Sequence, residues 1–310
     1  MKTALKYLYV VAMTIYLFIG GNLFAQTGSG ECNLKQNFDF SKERTRIVQH
    51  YKPVSKLKEY SAQGFITGTK IFSSHIKCEP IGEKEFKYTC MQFVVTNDSV
   101  AMEIPDLKGW NYIFYDGIDE NGFVFGIDHA KFDNLTFIDG SPVPPEIAYH
   151  VYNSFIDFHA MDAFAERTEE GNGIQNLAEI GQTIVHASAF SQPPTSLGDN
   201  VAEGSYFKNG EVTLELKGLS CVNDKTCAII QYDSGESSFK MIMNPAPNME
   251  ITTEGRSHYY GDIYKDLKTG WVQKVTLMEN VISQTQMPQP YGNVNSVIER
   301  EILIMNVGVN

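Results

Sequence analysis

The chain has 310 residues, of which 43% are hydrophobic and 20% charged, and its formal net charge is −12. A chain this acidic repels phosphate backbones, so we expect no binding to nucleic acid. The length is sufficient to bury a substantial core in one domain or two. The 16 Tyr and 19 Phe residues favour packed strands over disorder.

The first 25 residues have the pattern of a secretory signal peptide. Lys2 and Lys6 precede an uncharged run over residues 7–24, and Ala25 follows it. A basic start, an apolar middle and a small residue at the exit are typical of such a signal. A transmembrane anchor is the alternative, but the run contains Asn22 and no basic stop follows it. We therefore expect a bacterial protein that is exported to the periplasm or outside the cell, without a transmembrane segment.

Export implies an oxidising compartment, in which cysteines pair where the geometry allows. Cys78 and Cys90 flank one polar loop between extended runs, and Cys221 and Cys227 flank another. The spacing predicts two structural disulfides, Cys78–Cys90 and Cys221–Cys227, each contributing roughly 2–3 kcal/mol. Buried free thiols are the alternative. We expect Cys32 to be an exposed thiol in an N-terminal arm.

Residues 26–62 are predicted to form this arm, and residues 63–143 a first β unit. Ser41 is a candidate N-cap for a short helix in the arm, which Pro53 would end. The β unit contains several extended runs separated by polar turns. Its strongest hairpin signal is the pair at positions 121–122, Asn-Gly, which tolerates positive φ.

Residues 144–191 are predicted to form a helical connector. Proline suits the first turn of a helix, and Glu146 suits the positive end of the helix dipole. Apolar side chains then recur at helical spacing: Ile147, Val151, Phe155, Phe158 and Phe164. The pattern predicts a helix from about residue 145 to residue 166, packed between two β units.

Residues 192–310 are predicted to form the second β unit. The segment 255–277 has the pattern of two antiparallel strands joined by a Lys-Thr-Gly turn, and the segment 109–125 is a looser version. This similarity indicates internal duplication, although turn chemistry alone can make meander proteins resemble themselves. We predict a mainly β (α+β) fold of two related antiparallel half-barrel units with an intervening α-helix.

The chain resembles the bacterial lipoprotein-carrier half-barrel family over residues 192–280. The likeness is carried by Leu197-Gly198-Asp199, and by Asp262-Ile263-Tyr264 together with Gly270-Trp271-Val272. The resemblance implies a concave apolar groove that binds acyl chains or hydrophobic partners. The chain departs from the family in its two predicted disulfides and in lacking an anchoring cysteine. No binding residue of the family can be carried over by position.

The sequence contains one arrangement that could bind a metal ion. His159, Asp162 and Glu166 fall on one stripe of the predicted helix. A solvated polar stripe explains the same residues without a metal ion. We therefore predict neither a metal site nor a cofactor.

Two pairs of carboxylates could be proposed for glycoside hydrolysis, Asp116 with Asp119 and Asp262 with Asp266. Both pairs flank turns, where carboxylates are commonly solvated. The serine-rich segment after Asp233 lacks the pattern of a nucleophile elbow and indicates a hairpin turn. We identify no catalytic residue in the sequence, and no pattern in it assigns a ligand-binding residue.

Methionines on one predicted strand are a weaker indication of a binding surface. Phe239, Met241 and Met243 share one strand face, which suits an adaptable apolar groove as well as an ordinary core. We expect an exported, non-catalytic protein that binds a lipid, another apolar small molecule or a protein partner of the envelope in a concave β groove. The alternatives are a structural or adhesion component of the cell envelope and a carboxylate-dependent hydrolase.

Overall fold

A computed structural model describes residues 38–61, 63–83, 85–193, 202–246, 249–288 and 292–308. Within them, the strands form one open antiparallel sheet, with one α-helix packed against it. The predicted signal peptide, Cys32 and the Leu-Gly-Asp sequence at 197–199 lie outside the described residues.

The described residues contain thirteen strands, one α-helix and three short 3-10 helices. The strands are β1 (Gln49–Tyr60), β2 (Ile66–Pro80), β3 (Phe86–Asn97), β4 (Val100–Glu103), β5 (Asn111–Ile113), β6 (Thr183–Val185), β7 (Tyr206–Lys208), β8 (Thr213–Val222), β9 (Lys225–Asp233), β10 (Ser237–Ala246), β11 (Met249–Asp266), β12 (Val272–Met287) and β13 (Gly292–Asn306). The α-helix is α1 (Pro145–Ala163), and the 3-10 helices are Pro105–Leu107, His129–Phe132 and Ile174–Asn176.

The strand order is β4-β3-β2-β1-β13-β12-β11-β9-β8-β6, with β5 paired to β3, and β10 paired to both β11 and β7. Strand β1 joins the early and late strands, because Tyr51 lies opposite Ile76 on one side and Asn306 on the other. The mainly β prediction is confirmed. The division into two half-barrel units is not confirmed, since all thirteen strands belong to one sheet.

The two faces of the sheet differ in what covers them. Along β1, Tyr51 and Leu57 are buried and Lys52 is exposed, which is the alternation of a half-covered strand. We call the face that carries Tyr51 and Leu57 the inner face and the opposite one the outer face. Helix α1 packs on the inner face, where the Phe158 ring lies 5.3 Å from that of Tyr51.

Helix α1 confirms the helix predicted from residue 145. Pro145 occupies the first turn, and Glu146 is the acidic residue there. The buried side chains recur at helical spacing: Ile147, Val151, Phe155 and Phe158 are all covered by the sheet and its loops. The helix ends at Ala163, three residues before the predicted end.

The segment predicted as an arm contains a strand of the sheet. No helix begins at Ser41, because residues 38–48 lack regular structure and Gln49–Tyr60 forms β1. Pro53 lies within this strand, opposite Ile304 of β13. The segment 109–125 differs from its predicted counterpart, because it contains only the three-residue strand β5. The predicted boundaries at residues 62, 143 and 191 stay predictions.

The two predicted disulfides are corrected by the strand register, since every described cysteine is a free thiol. Cys78 lies opposite Tyr88 and Cys90 lies opposite Ile76, so the two cysteines are diagonal neighbours. Diagonal positions are roughly 7–8 Å apart, beyond the spacing that a disulfide spans.

The second pair fails for a different reason. Cys221 lies opposite Thr226, and Cys227 lies opposite Ser220. The two cysteines are therefore one position out of register, and successive side chains point to opposite faces of a strand. Accordingly Cys227 is buried and Cys221 is exposed. The hairpins predicted around both pairs are nevertheless present as β2–β3 and β8–β9.

Candidate functional site

The space between α1 and the sheet is filled by side chains. The two best-formed cavities of the described residues each have a volume of about 10 Å³, which is roughly the room that one water molecule needs. Phe158 of α1 and Ile304 of β13 line both of them. Pockets for small molecules usually measure roughly 300 Å³ or more. The interior beneath α1 therefore has no room for an acyl chain.

A charged network lies beneath the middle of α1. Arg300 of β13 donates to Asp157 of α1 and, through Nε at 2.7 Å, to Glu279 of β12. Ser257 of β11 donates to the other Glu279 oxygen. Burial raises the pKa of Asp157 to about 6, although Arg300 pulls it down. The network ties α1 to three neighbouring strands, and each of its charges has an opposite partner.

A second charged cluster ties the segment before β1 to the end of α1. Arg44 contacts Asp162 at 2.9 Å and Glu166 at 3.2 Å, and Lys265 contacts Glu166 at 3.1 Å. The Arg44 guanidinium also lies 4.7 Å from the ring centre of Trp271. Two of the three residues considered as metal ligands are thus occupied by cationic side chains.

The third candidate ligand, His159, is buried among aromatic rings. Its Nε2 lies 2.7 Å from the Tyr112 hydroxyl, and its ring centre lies 4.6 Å from that of Tyr88 and 4.8 Å from that of Phe114. Burial lowers the pKa of His159 to about 3. The described residues contain no cluster of three side chains that could hold a metal ion. The helix stripe is therefore a set of structural contacts.

The carboxylates considered for hydrolysis mainly stabilise turns. Asp119 accepts hydrogen bonds from the backbone N–H groups of Asn121 and Phe123, each at 2.9 Å. Asp266 is buried and accepts from the backbone of Lys268 at 2.9 Å. Their proposed partners, at positions 116 and 262, are exposed and half-buried respectively. These contacts support the turn interpretation of both pairs.

The serine-rich segment is also structural. Ser234 is fully buried, donates to the carbonyl of Gly235, and accepts from the backbone N–H of Tyr259 at 2.9 Å. Gly235 has a φ of +58°, a left-handed conformation that glycine adopts without steric cost, at the irregular link between β9 and β10. No base faces the Ser234 hydroxyl among these contacts. The predicted hairpin turn is wrong, because β9 and β10 do not pair with each other. Both pair antiparallel with β11, so the chain continues along β11 through residues 234–236 without reversing.

The outer face carries an exposed apolar row across four neighbouring strands. Ile66 lies opposite Tyr60, Tyr60 opposite Val297, and Val297 opposite Ile282. Directly opposed residues share a face of the sheet. Ile282 is 64% exposed, Ile66 59% and Val297 38%. We call Ile66, Tyr60, Val297 and Ile282 the apolar row; at strand spacing it spans roughly 14 Å.

Polar rows border the apolar row on both sides. On the side of the row nearer the start of β1, Lys58 forms ion pairs with Glu299 and Glu301, and Tyr60 donates to Glu299 at 3.2 Å. On the opposite side of the row, Gln284 of β12 donates to Asn295 of β13 at 3.1 Å. Apolar side chains with a polar border are the arrangement found in many protein interfaces.

Sequence reasoning missed the apolar row. Its members belong to four strands, and Tyr60 and Ile282 are more than 200 positions apart. Only the pairing of β1 with β13 brings them together. The alternating apolar residues within β12 and β13 were the available signal, but alternation does not tell which face is covered.

The methionine-containing strand face exists as predicted, and it is half-buried. Phe239, Met241 and Met243 alternate on β10 and pair with neighbouring positions of β11. The Phe239 ring lies over Gly255, where a side chain would clash with it. This face is a further apolar surface, and its side chains are less exposed than Ile282, Ile66 and Val297 of the apolar row.

Among the described residues, no helix has the length and apolar character that crossing a membrane requires.

Comparison with known proteins identifies no family. No family model and no curated protein matches the chain. Among solved structures, the chain is similar to Salmonella typhi OmpF in complex with daunomycin (7% identity, 84% of this chain and 97% of that chain, TM-score 0.20). It is also similar to a mutant Rh. blastica porin (8% identity, 84% and 99%, TM-score 0.18). A DUF1329 family protein from Desulfovibrio piger matches with 12% identity over 86% and 88%, at a TM-score of 0.13.

At these TM-scores the likenesses carry no argument about the function of this chain. They support no more than a weak resemblance to other β-rich proteins.

Proposed function

We propose that the chain is an exported, non-catalytic binding protein that engages a protein partner of the cell envelope through the apolar row. The observation that carries this proposal is the exposure of Ile282, Ile66 and Val297 on one continuous strip of sheet. Burying such a strip against a partner would remove apolar surface from water, which is favourable by about 25 cal/mol per Å². Export rests on the signal-like pattern of residues 1–25.

A ligand held in a concave groove has less support. The resemblance to lipoprotein carriers implies such a groove, but the cavities beneath α1 are the size of a water molecule. The remaining surface for a small apolar ligand is the half-buried face of Phe239, Met241 and Met243. A structural or adhesion role would use the same exposed apolar row, so it is a variant of this proposal. The turn contacts of Asp119 and Asp266 give no support to a hydrolase.

We also retain the proposal that residues 63–143 and 192–310 descend from one duplicated β unit. The two cysteine-containing hairpins, β2–β3 and β8–β9, support it, because each follows the same order of strand, polar turn and returning strand.

Site-specific photo-crosslinking in the cell envelope of the source bacterium tests the proposed interface. A photoreactive residue in place of Ile282 is expected to yield one discrete crosslinked protein. The matched control is the same residue in place of Ile138, which is 67% exposed but lies in a turn outside the sheet. A crosslink formed equally from both positions would contradict the proposal. So would a partner that still co-purifies undiminished with an Ile282→Asp variant of native stability.

A further inference from the structure

Two histidines, one in β1 and one in β2, meet on the outer face. They lie towards the opposite ends of these two strands from the apolar row. His50 of β1 and His75 of β2 have their ring nitrogens, Nδ1 and Nε2, 3.0 Å apart. The ring centres are 5.2 Å apart and the planes are tilted by 49°. Both side chains are half-buried. The two residues are 25 positions apart, so their spacing in the sequence gives no sign of the pair.

The distance fits one class of metal geometry better than another. Metal–imidazole bonds of about 2.0–2.1 Å to nitrogens separated by 3.0 Å enclose an angle of roughly 95°. A tetrahedral ion would hold the nitrogens roughly 3.3 Å apart. An angle near 90° belongs to adjacent ligands in square-planar or octahedral coordination, which Cu²⁺ and Ni²⁺ prefer with nitrogen ligands.

The surroundings of both rings favour the neutral imidazole. Burial lowers the pKa of His50, as does nearby Lys77, and burial likewise lowers the pKa of His75. Neutral imidazole is the form that binds metal ions. In the free pair one ring donates to the other. To bind the ion, the donating ring must carry its proton on the ring nitrogen that faces away from the other histidine. Because both imidazoles stay neutral, binding releases no net proton.

We propose that His50 and His75 form a binding site for one Cu²⁺ or Ni²⁺ ion per chain, with water in the remaining coordination positions. Small rotations of both rings about their last side-chain torsions, which have broad energy minima, would turn the lone pairs towards the ion and keep the two nitrogens roughly 3 Å apart. The site is independent of the partner-binding function proposed above.

The surrounding charges set the strength of this site. Lys77 lies opposite His50 in the register, and Lys52 acts electrostatically on His75. Glu79, whose carboxylate acts electrostatically on His50, is held by Lys77 at 2.7 Å and lies 3.8 Å from Lys87. The two lysines repel a cation, so two imidazoles are expected to give modest affinity. Removing Lys52 should strengthen binding.

Calorimetric titration with Ni²⁺ tests the site in the full chain, without a histidine tag and in a non-coordinating buffer. Cys32→Ser and Cys221→Ser form the background, because Cys221 is an exposed thiol. We expect one ion per chain and at least a tenfold loss of affinity in both His50→Gln and His75→Gln. The matched control is His258→Gln, since His258 is exposed and lies 3.0 Å from Asp233 instead of another histidine.

A second variant keeps the test decisive if either histidine variant fails to fold. Lys52→Gln retains both imidazoles and removes a repelling charge, so it should bind Ni²⁺ severalfold more tightly than the background chain. Absence of Ni²⁺ binding by the folded background chain would overturn the inference. Equal affinity in the background chain and in folded His50→Gln would also overturn it, as would unchanged affinity in Lys52→Gln.

Discussion

Asp157 is the residue whose environment most directly links this fold to pH. Burial raises the pKa of its carboxyl to about 6, above the unfolded value near 3.9. The native state therefore binds this proton more tightly than the unfolded state does. The resulting stabilisation is fully present below about pH 4 and is lost as the pH rises through 6. Its size is up to about 3 kcal/mol, by the conversion of a pKa difference into free energy.

Urea unfolding between pH 4 and pH 7 measures this contribution. The free energy of unfolding of the parent, minus that of Asp157→Asn, should fall by up to about 3 kcal/mol as the pH rises. Asp139→Asn is the control, because hydrogen bonds from Ser141 lower the pKa of that exposed carboxyl. Its difference should not fall over the same range. A parent-minus-Asp157→Asn difference that stays constant would show that Arg300 offsets burial, and a difference that rises with pH would show that Arg300 outweighs it; either result contradicts the raised pKa.

The cysteines make a separate prediction at the same scale. Burial raises the pKa of Cys78 and of Cys90 to about 12 and that of Cys227 to about 11, which makes these thiols unreactive. In a Cys32→Ser background, a thiol reagent should label only Cys221 in the native protein. All four thiols should react after unfolding without a reducing agent. Fewer than four reactive thiols in the unfolded protein would restore the disulfide hypothesis.

Among the strands, β11 depends on a glycine in its second half, Gly261. A Cβ at Gly261 would collide with the backbone carbonyl of Thr276 and would lie 2.8 Å from the Tyr232 hydroxyl. The same hydroxyl donates to the Thr276 carbonyl at 2.8 Å, so β9, β11 and β12 all meet there. A Gly261→Ala variant must therefore push apart strands that hydrogen-bond to each other.

We expect Gly261→Ala to lower the free energy of unfolding by at least about 3 kcal/mol, as severe overpacking does. Gly68→Ala is the matched control in β2, because the one polar atom near its added Cβ is the flexible Glu59 carboxylate, at 3.0 Å. That control should change stability by less than about 1 kcal/mol. Equal unfolding midpoints in denaturant for the two variants would be inconsistent with the close approach at Gly261.

Local elements could be predicted from the sequence where local chemistry specifies them. Pro145 and the apolar spacing after it predicted α1, and polar turns between extended runs predicted the two cysteine-containing hairpins. Strand β1 was missed because Pro53 and the alternating lysines resemble an irregular arm. The cysteine pairs were misjudged because a hairpin places two residues near each other without specifying their register. One step in register separates Cys221 and Cys227 onto opposite faces.

For the whole molecule, the decisive contact is the pairing of β1 with β13. It joins residues near the two ends of the described chain, and it creates both the continuous sheet and the apolar row. Such pairing depends on tertiary structure, so neither the row nor the network of Arg300, Asp157 and Glu279 could be inferred from the sequence. The same assembly lets α1 fill the inner face, which moves the candidate binding surface to the outside.

Native mass spectrometry of the chain isolated from the cell envelope of its source bacterium tests whether binding occurs on the outer face. We expect the mass of the processed chain, alone or with a protein partner that Ile282→Asp removes, and no small-molecule adduct. One acyl-bearing molecule bound per chain, retained in Ile282→Asp, would contradict a filled interior and an external binding surface.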